Sequence, residues 1–280
     1  MNATGRADLH VHTTTSDGAH TPSEVVSLAL QAGLSTIAIT DHDTVDGIAQ
    51  AQRAAGTSLE VLAGVEISAD EGHAGGEVHL LGYMIDPTHA GLREALAQGQ
   101  AARLDRAAEM VTRLRASGAP ISWERLVELA GRGTVGRAHI AQALVDAGHV
   151  ESISEAFERY IGPDGPAYVP RAKLSSAGAI ALIRRAGGVP VLAHPWPDLE
   201  RVPRLVSMGL AGLEVRYPRY SPGLMSILDG LARRYRLLRT GGSDFHGLAI
   251  KPDYPLGSVF VSPEWVEALK AWRHAAEGTA

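Results

Sequence analysis

Cysteine is absent from this 280-residue chain. Disulfides, a thiolate nucleophile and cysteine metal ligands are thereby excluded. An excess of positive charge is missing too: 26 Lys and Arg stand against 31 Asp and Glu, a formal net charge of −5. The surface as a whole is therefore no electrostatic magnet for nucleic acid, though a local basic cleft is compatible with that balance. No apolar run approaches the roughly 18 residues of a membrane span. The opening MNATGRADLHVH lacks a basic-then-apolar signal segment. A soluble cytoplasmic protein is expected, with no membrane partner and no obligate protein partner implied. Internal repeats and low-complexity segments are lacking as well.

What is present is ordinary globular composition, 45% hydrophobic and 20% charged. A disordered chain would need lower hydrophobicity and higher net charge. The 31 Gly and 15 Pro exclude a coiled coil. One large domain, or one domain carrying an insertion, suits this length. The unusual feature is histidine, 12 residues, several set close to Asp and Glu.

The N-terminal third alternates strand and helix. Ala7–His12 reads as a strand, and Thr21-Pro22-Ser23-Glu24 as a capping box opening a helix to about Ala32. Ser35–Thr40 is a buried-strand pattern, Asp46–Ala55 a short helix, and Val61–Ser68 and Val78–Ile85 two further strands. Then the pattern changes. Leu92, Leu96, Leu104, Ala107, Val111 and Leu114 trace an apolar stripe on a long helix. Shorter helices follow at Ser122–Ala130, His139–Ala147 and Ser152–Tyr160. Residues 88–167 are read as an all-helical insertion over the mouth of a barrel built from 1–87 and 168–280. After Ser175 the alternation returns, with a helix at 199–208 among its elements and a last strand at Ser258–Val261. Strand–helix alternation predicts an α/β fold with a mainly parallel sheet, and about seven such units favour a closed barrel over an open sheet.

The histidines and carboxylates cluster at strand ends. His10 and His12 are two apart on one strand, so alternation puts both on one face, within reach of one metal. Asp17 follows in the next loop. Asp41 and His42 directly follow the second strand, with Asp43 read as a helix cap. Glu66 closes the third, His79 lies in the fourth, and His194 follows Val189–Ala193. Glu214 sits in a later strand, read as a partner of a ligating histidine or as paired with Arg216. Asp244 and His246 stand in Gly241-Gly242-Ser243-Asp244-Phe245-His246-Gly247. In barrels and open α/β sheets alike, the C-terminal rim of the strands carries the chemistry. Each residue alone is an ordinary turn former or cap; the joint set is what points to a metal site.

That ordered set resembles the PHP (polymerase and histidinol phosphatase) superfamily, across the whole chain apart from the insertion. The resemblance implies a distorted (β/α)7 barrel and two or three divalent ions in a site of nine ligands, all present here. It implies His10, His12, Glu66 and Asp244 at the first ion, with Glu66 bridging to a second completed by His79 and His194. Asp17, His42 and His246 would hold a third. Nitrogen and oxygen ligands suit Mn, Fe or Zn. Ions so held polarise a phosphoryl oxygen and generate hydroxide from water near neutral pH.

Within the superfamily, Gly136-Arg137-Ala138-His139 and Tyr168-Val169-Pro170 resemble bacterial nucleoside 3′,5′-bisphosphate phosphatases, related to 5′→3′ exonucleases acting on short RNA. The expectation is release of the 3′-phosphate from such a nucleotide. Arg137 and Lys173 are the candidate phosphate-binding cations. Asp41 is a candidate partner orienting a ligating histidine, and His139 a candidate general acid. The competing expectations are a histidinol-phosphate phosphatase and a non-catalytic metal-binding domain of the same family. An amidohydrolase-like C–N hydrolase is a third, but the metal-bridging lysine of those sites is not found at a strand end.

Overall fold

Thr21 opens the first helix as its residues dictate. Its hydroxyl caps the Glu24 amide while the Glu24 carboxylate accepts from the Thr21 amide, and Pro22 stands in the first turn of α1 (Pro22–Gln31). The computed structural model describes residues 5–70, 76–130, 135–170 and 174–277. Two compact units compose it, Met1–Ala95 with Lys173–Ala280, and Leu96–Ala172.

The first unit holds every described strand: β1 (Ala7–Val11), β2 (Thr36–Ile39), β3 (Glu60–Asp70), β4 (Glu77–Tyr83), the two-residue β5 (Leu174–Ser175), β6 (Val189–Leu192), β7 (Gly212–Arg216) and β8 (Leu238–Gly241). They hydrogen-bond in the order β1-β2-β3-β4-β6-β7-β8, with β5 added at the end of β3. Neighbours are parallel except around β4, which runs antiparallel to both β3 and β6. The sheet all but closes on itself. Past the end of β8, Phe245 forms a parallel bridge with Val11, the His12 amide donating to Phe245 O at 2.9 Å. The result is a nearly closed, barrel-shaped sheet of seven strands in a mixed α/β fold. The strand expected at Ser258–Val261 reduces to a single antiparallel bridge, Ala7 with Val261.

Helices α2 (Ile48–Ala55), α7 (Ser176–Arg185), α8 (Val202–Ser207), α9 (Pro222–Tyr235) and α10 (Pro263–Glu277) complete this unit with α1. The helix expected at 199–208 is instead a 3₁₀ turn, Leu199–Arg201, followed by α8, because Pro203 lacks an amide hydrogen and suits only a helix's first turn. Leu9, Leu81, Tyr83, Val189, Val191 and Leu269 belong to one buried core.

The second unit contains most of α3 (Ala90–Ala116), then α4 (Trp123–Ala130), α5 (Arg137–Asp146) and α6 (Ile153–Ala156), the last continued by a π turn to Ile161. Met110, Leu114, Leu126, Ile140, Leu144 and Ile161 form its core. Leu104 departs from the expected stripe: it is 44% exposed, and Met110 takes part in the buried face instead.

Candidate metal centre

Every residue of β1 is buried. Strands covered on both faces normally read as continuous apolar runs. Here one face is Ala7, Leu9 and Val11, and the other is Asp8 and His10, with His12 just beyond. A buried row of ionisable groups must find partners or cations, and the following strand ends supply them.

Glu66, near the middle of β3, is the hub. Its Oε1 lies 2.8 Å from His79 Nδ1 and 3.3 Å from His194 Nε2. Its Oε2 lies 3.2 Å from His10 Nε2, His12 Nε2 and His42 Nδ1. The two oxygens thus face two different sets of imidazoles. His79 reaches this rim from the beginning of its strand, not the end. Because β4 is antiparallel, its N-terminal part lies beside the C-terminal part of β3, with His79 opposite Ser68.

Asp244 divides its oxygens in a similar way. Oδ1 is 3.3 Å from His12 Nε2, 3.4 Å from His246 Nδ1 and 3.6 Å from His10 Nε2. Oδ2 accepts from Tyr217 Oη at 2.8 Å and Lys251 Nζ at 2.7 Å. Asp17, half exposed, sets Oδ1 3.3 Å from His246 Nε2 and Oδ2 3.8 Å from His42 Nε2. The expected set His10, His12, Asp17, His42, Glu66, His79, His194, Asp244 and His246 is therefore one continuous cluster. Ligand atoms of His12, Asp17, His42 and His246 lie within 4.8 Å of one another, as do those of His10, His12 and Glu66, and those of His42, Glu66 and His79.

The backbone is bent to present these groups. Five described non-glycine residues have positive φ, and Asp43 (51°), His194 (26°) and Asp244 (51°) all stand at this rim. Such conformations persist only where surrounding contacts enforce them. The His194 amide donates to Glu214 Oε2 at 2.7 Å. Asp43 accepts from the Ser68 amide at 3.1 Å and donates its own amide to Glu66 O. It is not the cap of α2, whose N-cap is Gly47; the strand-to-strand clamp claims its side chain.

The field of the site favours cations. Burial opposes protonation of His10, yet Glu214, Glu66 and Asp244 outweigh it and hold that imidazole well above its ordinary range. Burial likewise works against His12 and His79, but neighbouring carboxylates raise them to about 9 and about 10. Burial above all, joined by the like charges of His12 and His79, pushes His42 down to about 3 against the pull of Glu66 and Asp17. Glu66 and Asp244 are held well below the usual carboxylate range: burial raises them, and the surrounding histidines prevail.

A divalent ion fits the donor set by an independent test. Among the described residues, His12 Nδ1, His12 Nε2 and His42 Nδ1 are buried without a hydrogen bond of good geometry. Buried polar atoms ordinarily find such partners, and a cation beside these carboxylates would take the place of the proton on one nitrogen of each ring. Glu214 completes the logic for His10. Its Oε1 lies 3.0 Å from His10 Nδ1, so that nitrogen donates and Nε2 is left facing Glu66. Glu214 does not pair with Arg216, whose guanidinium donates to Phe260 O and lies over the Trp265 ring.

The remaining expected residues are placed as follows. Asp41 accepts from the Thr13 amide and hydroxyl and from the Ser16 hydroxyl, at 2.7–2.8 Å. It ties down the loop that carries Asp17, and none of these bonds is to a histidine ring. Arg137 and His139 belong to the second unit. Arg137 lies over the Phe157 ring, and His139 Nδ1 accepts the Gly136 amide at the start of α5. Lys173 lies outside the described residues. Three residues were missed by sequence reasoning: Tyr217, Lys251 and Asp8. Tyr217 follows β7 and carries the same strand-end signal as the ligands. Lys251 has no local signal. Asp8 stands in the same strand pattern as His10, and its buried carboxylate accepts from the Ser243 amide and hydroxyl, the Gly257 amide and the His10 amide.

Comparison with known proteins agrees with this geometry. The chain is 38% identical over 250 residues to the 5′-3′ exoribonuclease Rnm of Escherichia coli, covering 85% of this chain and 84% of that protein. It is 36% identical over 248 residues to a 3′,5′-nucleoside bisphosphate phosphatase of Chromobacterium violaceum, covering 85% and 86%. A crystal structure from Bifidobacterium adolescentis, described as that of a metal-dependent phosphoesterase, superposes with a TM-score of 0.78 at 37% identity over 94% of both chains. Residues 8–162 match the PHP domain. With a strand-end cluster of histidines and carboxylates on a nearly closed barrel, this chain belongs to the PHP family and is a metal-dependent hydrolase of phosphoester bonds.

Proposed function

We propose that the enzyme hydrolyses the 3′-phosphoester of nucleotides bearing a 5′-phosphate, with nucleoside 3′,5′-bisphosphates as the simplest substrates. The observation that carries the metal-dependent chemistry is Glu66, whose two oxygens face separate sets of histidines as a carboxylate shared between two cations would; the substrate class is supported by the similarity to an exoribonuclease and a nucleoside bisphosphate phosphatase. In this reading His10, His12, Glu66 and Asp244 hold one ion, Glu66, His79 and His194 a second, and Asp17, His42 and His246 a third. Such ions supply Lewis acidity toward a phosphoryl oxygen and activation of water.

The chain's own residues set the geometry of that chemistry. Glu214 fixes the tautomer of His10 and, through the His194 amide, the turn that presents His194. Tyr217 and Lys251 fix Asp244. The reaction itself is simple to balance. Water attacks phosphorus, the P–O3′ bond breaks, and O3′ takes up a proton to leave a 3′-hydroxyl.

The two kinds of relative support one substrate logic. A 5′-phosphorylated oligoribonucleotide presents the same P–O3′ bond beside the same 5′-phosphate as a nucleoside bisphosphate does. Breaking it releases a nucleoside 5′-monophosphate and leaves a 5′-phosphate on the next residue. Hydrolysis of short RNA from its 5′ end and of bisphosphates is then one activity on two lengths of substrate. Incubation with adenosine 3′,5′-bisphosphate and Mn²⁺ is expected to yield adenosine 5′-monophosphate and inorganic phosphate, resolved by chromatography. Accumulation of the 3′-monophosphate would reverse the orientation, and strong preference for histidinol phosphate in the same assay would replace the substrate class.

A further inference from the structure

Trp196 is an exposed aromatic residue beside the cluster. It follows His194 and Pro195 at the exit of β6, and it is 55% exposed. Most large apolar side chains of this unit are buried, and an indole left half in water beside a polar site leaves a large stacking face open. Its backbone is fixed, the amide donating to Tyr220 Oη at 3.3 Å.

The indole lines a cavity of about 280 Å³ together with Pro195, His194, His79, Glu77 and Arg201. His79 and His194 are the two imidazoles on Glu66 Oε1. One part of the cavity is thus the edge of the histidine cluster, and another is bordered by Trp196. Arg201 is positioned by Asp198 at 2.5 Å and by Glu77 O at 3.3 Å. Glu77 and Asp198 border the same space, where Glu77 Oε1 lies 3.4 Å from His79 Nε2 and Asp198 Oδ2 accepts from Arg201. An exposed indole beside the cluster matches a planar heteroaromatic ring, and a sugar phosphate alone would leave the indole unused.

We infer that this cavity is the nucleobase subsite, with Trp196 stacking on the base while the phosphoester lies at the histidine cluster. The inference rests on the reading of the site as one for nucleotides. Base–aromatic stacking tolerates any base, because each has a π face. Trp196 therefore selects for a base without selecting among bases, as an enzyme of nucleotides and short RNA requires.

The test is titration calorimetry of the metal-loaded protein with adenosine 5′-monophosphate and, as the baseless control, ribose 5-phosphate. Trp196→Ala is expected to weaken adenosine 5′-monophosphate roughly ten- to a hundredfold while leaving ribose 5-phosphate unchanged. Trp196→Phe is expected to restore most of the loss. Tryptophan fluorescence gives a second readout: quenching by adenosine 5′-monophosphate should disappear in Trp196→Phe, although Trp123, Trp265 and Trp272 remain. Equal weakening of both ligands, or of neither, overturns the subsite. Turnover separates this outcome from the reaction itself. Selective loss of adenosine 5′-monophosphate binding in a protein that releases no 3′-phosphate from the bisphosphate leaves the subsite standing and removes the proposed reaction. Release of 3′-phosphate by Trp196→Ala with wild-type KM removes the subsite and leaves the reaction.

Discussion

Glu66 has no neighbour that can replace it, since its two oxygens serve different groups of histidines. Glu66→Ala is expected to empty more than one ion position. Activity should fall by more than the roughly 10–100-fold loss typical of groups that merely orient ligands. Elemental analysis of the purified variant checks this directly; wild-type metal content would refute the role. Lys251 provides the contrast. It holds only the far oxygen of Asp244, where Tyr217 also donates. Lys251→Met should lower metal affinity roughly tenfold to a hundredfold, with Lys251→Arg recovering part of it, measured by competition with a chelating dye. Unaltered affinity in Lys251→Met would mean that Tyr217 alone positions the carboxylate.

Elements matter here through how closely they approach. The exit of β8 passes against β1, where a Cβ on Gly242 would meet the His10 backbone nitrogen at 2.4 Å and Asp8 Oδ1 at 2.7 Å. A backbone atom cannot yield as a flexible side chain can. Gly242→Ala should therefore destabilise by roughly 1–3 kcal/mol and disturb the segment that carries Asp244 and His246. Gly230, inside α9, has no atom within 4 Å of its would-be Cβ. Gly230→Ala should stabilise by roughly 0.5–1 kcal/mol, because alanine loses less chain entropy in a helix. Urea unfolding of the two variants should separate them in opposite directions; the same sign for both would contradict the packing argument. The antiparallel β4 shows what element direction does for the site. A fourth parallel strand would carry its first residues to the opposite rim, and His79 with them.

At the scale of the whole molecule, metal content and pH are linked. In the metal-free protein His12 and His79 stand at about 9 and about 10, above the ordinary imidazole value near 6.5. Their protonated forms stabilise the fold fully below the unfolded value, and that contribution is lost as pH rises through 9 to 10. Bound ions need the neutral rings, so metal affinity rises over the same window. The melting-temperature gap between metal-loaded and chelator-treated protein is expected to widen from pH 6.5 to 9. A gap that stays constant would show that cations do not displace protons from these rings. Restoring Mn²⁺ should return both stability and hydrolysis.

The sequence by itself determined the alternation of strand and helix, the capping of α1, and the histidine and carboxylate set. These signals are local: a two-residue period puts His10 and His12 on one face, and Thr21 with Glu24 forms its box within one turn. It did not determine how the set meets. That Glu66 faces five histidines depends on strand order and on the register of β3 against β4, both fixed by pairing across long stretches of chain. Nor did it reveal that Asp8 holds the Ser243 and Gly257 amides, contacts 235 and 249 residues away. Leu104 fitted a helical stripe and yet lies exposed, because periodicity names a face and only packing decides how wide a face is covered. Lys251 reaches Asp244 from seven residues downstream, and only the folded path of that segment brings the ammonium to the oxygen that faces away from the histidines.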